Sequence, residues 1–429
     1  MRTEIAINGS TNASERYICW AASPAQVRLA DADGATSPVT VTLRNQNTAQ
    51  GGQVLFWRTR SGAGQRELQL SLPPNGSPVD LFVGGEFGRP SMVDRDAAIQ
   101  VIDTNTGTTL SVTQLMVRIR KNANLLRPDE RDRFISAFAT LNNGGLGQFS
   151  DFRNIHTNDG DLEAHRNFGF LPWHRCYLLD LERELQRIDP SVTLPYWKFD
   201  EPAPNLFRRE FIGFSDVTST VDFSPANPLV NWATDGTVPG VDRRPLFNSQ
   251  TSAASGALGP VATEQDTIQT LAAPDQLFAA FRRMEGQPHG PAHRSFEGSI
   301  SRIHTAAKDP LFFLLHTNVD RLWAKWQWAT SGRRFDITST DTYTHLGKAG
   351  DPGAVRIGHN FNDTMWPWNQ IMGDGVRPDT APGGTFPDSS ITNAPGLQPI
   401  VGNFIDYQGV MTAASRLGFD YDDVPFELV

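Results

Sequence analysis

From residue 1 to about 113 apolar and polar residues alternate, and near residue 115 that rhythm gives way to one of three and four. A chain that changes period in this way must build strands first and helices afterwards. The segments TEIAIN, QVRLAD, VTVTLRN, QVLFWRTR, RELQLSL, VDLFVGG and AAIQVID each alternate, and clusters of Gly, Pro, Asn and Ser separate them. Leu68, Leu70 and Leu72 share one face of such a strand, with Gln69 and Ser71 on the other. Short strands at this density predict an antiparallel sandwich, immunoglobulin-like in outline, as a first domain over 1–113. No histidine falls in it.

Beyond residue 115, RPDERDRFISAFATLN offers Pro128 for a first helical turn, then acids, then Phe134, Phe138 and Leu141 at helical spacing. Helical patterns of this kind recur to about residue 330. Residues 201–265, rich in Pro, Asn, Ser, Gly and Thr, interrupt them as a long loop excursion. The expected fold class is therefore a mainly α domain over 114–429 preceded by an all-β sandwich.

The chemistry concentrates in the second part. In DPLFFLLHTNVDRLW the imidazole of His316 sits inside a run that otherwise reads as a buried helix, with Asp320 one turn later. Asp309 and Pro310 supply a cap and a first turn for that helix. His174 stands at the head of a stripe formed by Tyr177, Leu178, Leu181, Leu185 and Ile188, so it too lies on a buried face. Pro172 separates it from His165, and His156 precedes the turn-like TNDGD. His289 and His293 are four residues apart, which on a helix sets both rings on one face. Pro291, between them, must then occupy the first turn.

A single buried histidine is usually structural. Two groups of three are different, because burying that many unpaired imidazoles without a metal is costly. Imidazole-only sets suit copper or zinc, whereas carboxylate-rich sets suit iron, magnesium or manganese. A dinuclear zinc hydrolase would want a bridging carboxylate, and no Asp or Glu sits at ligand spacing. The formal charge of −9 argues against nucleic acid as a partner. Cys19 and Cys176 are far apart and form no metal-binding or CxxC spacing. MRTEIAINGSTNASERY lacks the long apolar core of a secretory signal, and no stretch reaches membrane-span length, so no membrane role and a cytoplasmic location are expected.

Three stretches now stand together in order: FLPWHRCYLLDLERELQ with LPYW at 194–197, then EGQPHGPAH, then DPLFFLLHTNVDRLWAKWQ. Over roughly residues 115–425 the chain closely resembles the tyrosinase and polyphenol oxidase family of type 3 copper proteins. VRIRKN at 117–122 resembles the family's entry segment, and Phe419-Asp420-Tyr421 its closing aromatic-x-Tyr. The resemblance implies a helical bundle holding a dicopper centre, with His156, His165 and His174 on one copper and His289, His293 and His316 on the other. It implies O₂ as co-substrate and small phenols as substrates, catechols being oxidised to o-quinones and, in true tyrosinases, monophenols hydroxylated. An o-aminophenol oxidase or a non-catalytic oxygen-binding protein carries the same six histidines. Asp320 reads as a carboxylate fixing the helix rather than a ligand. Arg294 and Ile303 fall near the mouth of such a site. Family members that hydroxylate monophenols pair a Glu with an Asn after the second trio's first histidine; here Glu285 is present and Gly290 replaces the Asn. His304, His345 and His359 match no ligand position.

Overall fold

A computed structural model describes the chain apart from residues 47–50, 157–160, 167, 217–220, 235–238, 271–277, 330–333, 336–357, 370–394, 397 and 429. It divides into two compact units, one of Met1–Arg120 with Tyr407–Val429, the other of Lys121–Asp406.

In the first unit the alternating segments become strands. They run Arg2–Ile7 (β1), Tyr17–Ile18 (β2), Ser23–Asp31 (β3), Val39–Asn45 (β4), Val54–Trp57 (β5), Glu67–Leu72 (β6), Val79–Gly85 (β7), Ala97–Asp103 (β8) and Thr109–Val117 (β9). They form a four-stranded sheet in the order β1-β3-β7-β5 and a five-stranded sheet in the order β2-β9-β8-β4-β6. Leu68, Leu70 and Leu72 are buried while Gln69 and Ser71 are exposed, as period two requires. Ile5, Val27 and Val83 from one sheet join Val41, Leu43, Leu70, Ile99 and Val101 from the other in a single apolar cluster. Fully burying side chains of this kind contributes about 1.5–3 kcal/mol each.

The last segment is part of this unit. The indole N–H of Trp20 donates to the Tyr421 carbonyl (2.8 Å), and the Ala21 N–H donates to Asp420 Oδ2 (2.9 Å). The Arg120 guanidinium lies 3.8 Å above the Phe419 ring and donates to the Tyr421 hydroxyl at 2.9 Å.

The second unit holds helices Pro128–Asn142 (α1), Phe149–Ile155 (α2), Asp161–Ala164 (α3), Phe170–Ile188 (α4), Glu264–Thr270 (α5), Phe278–Phe281 (α6), His289–Arg294 (α7) and Leu311–Trp328 (α8). Several of these are a single turn or two, with 3₁₀ turns and irregular chain between them. Strand pairs Arg243–Pro245 (β10) with Phe296–Gly298 (β13), and Ser255–Gly256 (β11) with Gly259–Pro260 (β12), add two small ribbons.

The expected fold class, a mainly α helical bundle preceded by an all-β sandwich, is corrected on both counts. Among the described residues helix makes up 32% and strand 22%, a mixed α and β composition. Glycine and proline punctuate the helical part, so α7 is held to six residues and carries short strands and turns around it. The sheet-bearing unit is not a purely antiparallel leading domain: β2 and β9 pair in parallel, and Tyr407–Val429, expected within 114–429, groups with the sheets.

Candidate metal centre

The site belongs to the second unit and is built from five helical segments. His156 terminates α2, His165 follows α3, His174 is in the second turn of α4, and His289 and His293 are on α7. His316 lies in the second turn of α8. Two local rules explain why the helices form with their rings inward. Pro172 and Pro291 both fall in a first turn, where the missing N–H has no helical partner in any case. Asp309 Oδ1 accepts the Leu311 N–H at 2.9 Å and caps α8.

His156, His165 and His174 then converge, as do His289, His293 and His316, and within each trio the candidate ligand atoms lie within 4.8 Å of one another. The Nε2 atoms of His156 and His174 are 3.4 Å apart. Those of His289 and His316 are 3.3 Å apart, and those of His293 and His316 3.2 Å. The two trios adjoin: the His174 and His316 rings stack at 4.2 Å with planes 9° apart. Neither trio includes a Cys, Asp or Glu among the described residues.

The opposite nitrogens fix the tautomer. His174 Nδ1 lies 2.8 Å from the Phe170 carbonyl, His289 Nδ1 2.8 Å from that of Glu285, and His293 Nδ1 2.7 Å from that of Ile300. A carbonyl can only accept, so each Nδ1 carries the proton and each Nε2 presents a lone pair. These Nε2 atoms lie 3.2–3.4 Å from the Nε2 of His156 or His316, close enough for each trio to share one bound ion. A cation resolves that arrangement, and neutral imidazole suits copper. Burial, with the neighbouring imidazoles adding to it, holds His156, His174, His289 and His316 well below the ordinary histidine range. His293 is lowered to about 4, again chiefly by burial.

Around the rings the setting is aromatic. Phe312 lies 4.3 Å from the His316 ring and 4.6 Å from that of His156; Phe170 lies 4.8 Å from His174 and 4.9 Å from His289. Behind them runs a buried ion pair. Asp320 Oδ1 accepts from Arg175 Nε at 2.5 Å, and the Arg175 guanidinium lies 3.7 Å over Trp323 while donating to the Phe404 carbonyl at 2.7 Å. Arg175 follows His174, and Asp320 is one turn beyond His316, so the pair ties α4 to α8 at the level of the two central rings.

The other singled-out residues scatter more. Arg294 and Ile303 are exposed, Ile303 at 42%. Glu285 Oε1 accepts the Arg166 N–H, and a Cβ added at Gly290 would make an ordinary contact with the Glu285 carbonyl at 3.6 Å. His304 is exposed. His359 is buried and its Nδ1 accepts the Gly169 N–H at 3.0 Å; His345 lies outside the described residues. Sequence reasoning missed Arg175, Phe170, Phe312 and His359 as supports of the site. An arginine inside the buried face of α4 was the available signal for the first; aromatic residues in an apolar run carry none.

Residues 146–329 match the common central domain of tyrosinase. The tyrosinase of Streptomyces glaucescens is 31% identical over 274 residues, covering 58% of this chain and 92% of that protein. The tyrosinase of Streptomyces antibioticus is 30% identical over 274 residues, covering 58% and 93%. Grixazone synthase of Streptomyces griseus is 29% identical over 272 residues, covering 49% and 85%. The chain belongs to the tyrosinase family of type 3 copper proteins. It is accordingly a copper-dependent phenol oxidase, using two copper ions and O₂ on small phenolic substrates, and its two histidine trios fit the two coppers. No helix among the described residues is long and apolar enough to cross a membrane.

Proposed function

We propose that this chain acts chiefly on o-diphenols, converting them to o-quinones, with monophenol hydroxylation the weaker activity. His156, His165 and His174 hold one copper and His289, His293 and His316 the other. The observation that carries this reading is the pairing of proton-bearing Nδ1 atoms on backbone carbonyls with Nε2 lone pairs turned inward.

Copper held by the two histidine trios would supply the redox chemistry, in which two diphenols give four electrons and four protons to reduce one O₂ to two waters. The protein's own part is preparation. Burial keeps the imidazoles neutral, so no proton must leave before they coordinate. Phe170 and Phe312 exclude water around the rings, and the Arg175–Asp320 pair sets the two central helices. Ile303 offers an apolar edge to an incoming ring, and Arg294, the residue after His293, sets charge near it. Gly290 has no side chain to hold a water that could accept a phenol proton, which is why the monophenol step is assigned the lesser rate. The carrier and o-aminophenol alternatives are not favoured, since the two relatives described above at 30% identity or more are tyrosinases.

The test is oxygen uptake by copper-loaded protein offered catechol or tyramine. Immediate uptake with catechol, and slow uptake with tyramine alone, is expected. No turnover of catechol by protein carrying two coppers overturns the reading. Replacing Gly290→Asn, whose Cβ would meet the Glu285 carbonyl at an unstrained 3.6 Å, is expected to raise the tyramine rate relative to the catechol rate.

A further inference from the structure

We propose that Glu285 is a positioning residue that sets the spacing between the two histidine trios. The inference rests on the assignment of those trios to two coppers. Two of the bonds that Glu285 makes run in opposite directions. Its carboxylate Oε1 accepts the backbone N–H of Arg166 at 2.6 Å, across 119 residues of sequence. Its own carbonyl accepts the Nδ1–H of His289 at 2.8 Å. Arg166 directly follows His165, so one residue holds the chain beside a member of the first trio and the ring of a member of the second.

The backbone at the far end of this clip is unusual. Arg166 has φ +68°, a left-handed conformation that a residue with a Cβ adopts mainly where its surroundings impose it. Its N–H is held at 2.6 Å by a carboxylate oxygen that is distant in sequence. This bond therefore supplies a local reason for the chain to turn there, immediately after His165. Glu285 is itself half-buried at the end of a 3₁₀ turn, Arg282–Glu285, that leads by way of Pro288 into α7. A shift of that turn moves the carbonyl that orients His289 and the carboxylate that anchors Arg166 together. One oxygen of the carboxylate that family resemblance would set to holding a water is thus engaged on the main chain.

Three measurements on copper-loaded full-length protein separate a positioning role from a proton-carrying one. These are copper content and its release to a chelator, kcat and KM for catechol, and the pH profile of kcat. For Glu285→Ala, copper release from at least one site is expected to quicken by about 10–100-fold, the usual effect of losing a residue that orients ligands. kcat should fall while KM changes little. Glu285→Gln keeps an acceptor oxygen in place, so it should recover most of the copper retention and keep the wild-type pH profile. Circular dichroism of both metal-free variants controls for folding, and Glu285→Gln carries the test if Glu285→Ala does not fold. The proposal is overturned if Glu285→Ala holds both coppers as wild type does. It is equally overturned if Glu285→Gln retains copper but loses activity along with the acid limb of the profile. Wild-type protein that takes up fewer than two coppers would instead sink the parent assignment, and this one with it.

Discussion

The two units bury different things. In the sheet unit the interior is a continuous apolar cluster running from Ile5 through Val41, Phe56 and Val83 to Val117. In the histidine-bearing unit three arginines are fully buried, Arg175, Arg243 and Arg321, and each meets an acid: Asp320, Asp309 and Glu264. Apolar contact is non-directional, so it holds a sheet together without dictating where any one atom points. A charged hydrogen bond dictates both distance and angle. The unit that must aim six imidazoles carries three such buried ion pairs among the described residues, while the sheet unit buries Arg120 and Asp420 beside its larger apolar cluster.

Breaking one element of each kind sharpens that contrast. The largest effect is expected for Asp320→Ala, which leaves the Arg175 guanidinium buried beside Trp323 without its carboxylate. Removing one partner of a buried pair typically costs about 3–5 kcal/mol. Denaturant unfolding should record this, together with faster copper loss, because α4 and α8 lose their tie. Leu43→Ala, in the core of the sheet unit, should cost about 2–5 kcal/mol, toward the lower part of that range if the site collapses around the lost atoms. Copper bound per folded molecule should not change. Equal copper loss in both variants would erase the contrast.

A smaller effect per step follows from acid. His293 has its folded pKa depressed to about 4 against an ordinary value near 6.5. Between those values the unfolded chain takes up a proton that the folded chain refuses, so stability is full above about pH 6.5 and falls as pH drops toward 4. His156, His174, His289 and His316 are shifted the same way. Metal-free protein titrated from pH 7 to pH 4 should show a falling thermal midpoint, with copper release over the same window in the loaded form. Asp420 in the sheet unit moves oppositely. Burial raises it to about 6, so its folded form holds a proton that the unfolded form has released, and its contribution declines as pH rises from about 4 to 6.

The strands were legible because one residue in two is apolar, a pattern that needs no knowledge of partners. Each of the seven alternating segments carries a strand, whereas β2 is too short, and β9 too irregular in its alternation, to announce itself. The six histidines were legible for a similar reason: their spacing is local and their neighbours are apolar. The balance of helix and strand was not, since short helices such as α7 and the ribbon β10–β13 depend on contacts across dozens of residues. The attachment of Phe419, Asp420 and Tyr421 to Trp20, Ala21 and Arg120 leaves no period at all. Family likeness placed those residues with the helices, and only tertiary contacts place them with the sheets. Glu285 shows the same limit at the site. Its position in MEGQPH is plain from sequence, but its bond to the Arg166 N–H is not.

The return of Tyr407–Val429 to the sheets has a consequence for biosynthesis. A ribosome delivers the nine strands early and the histidine-bearing unit next, and only then the residues that receive the Trp20 indole and the Ala21 amide. Of these two units, the one whose translation starts earlier is therefore the later to be finished. Until translation reaches Asp420 its buried donors have no acceptors, while all six imidazoles have already left the exit tunnel.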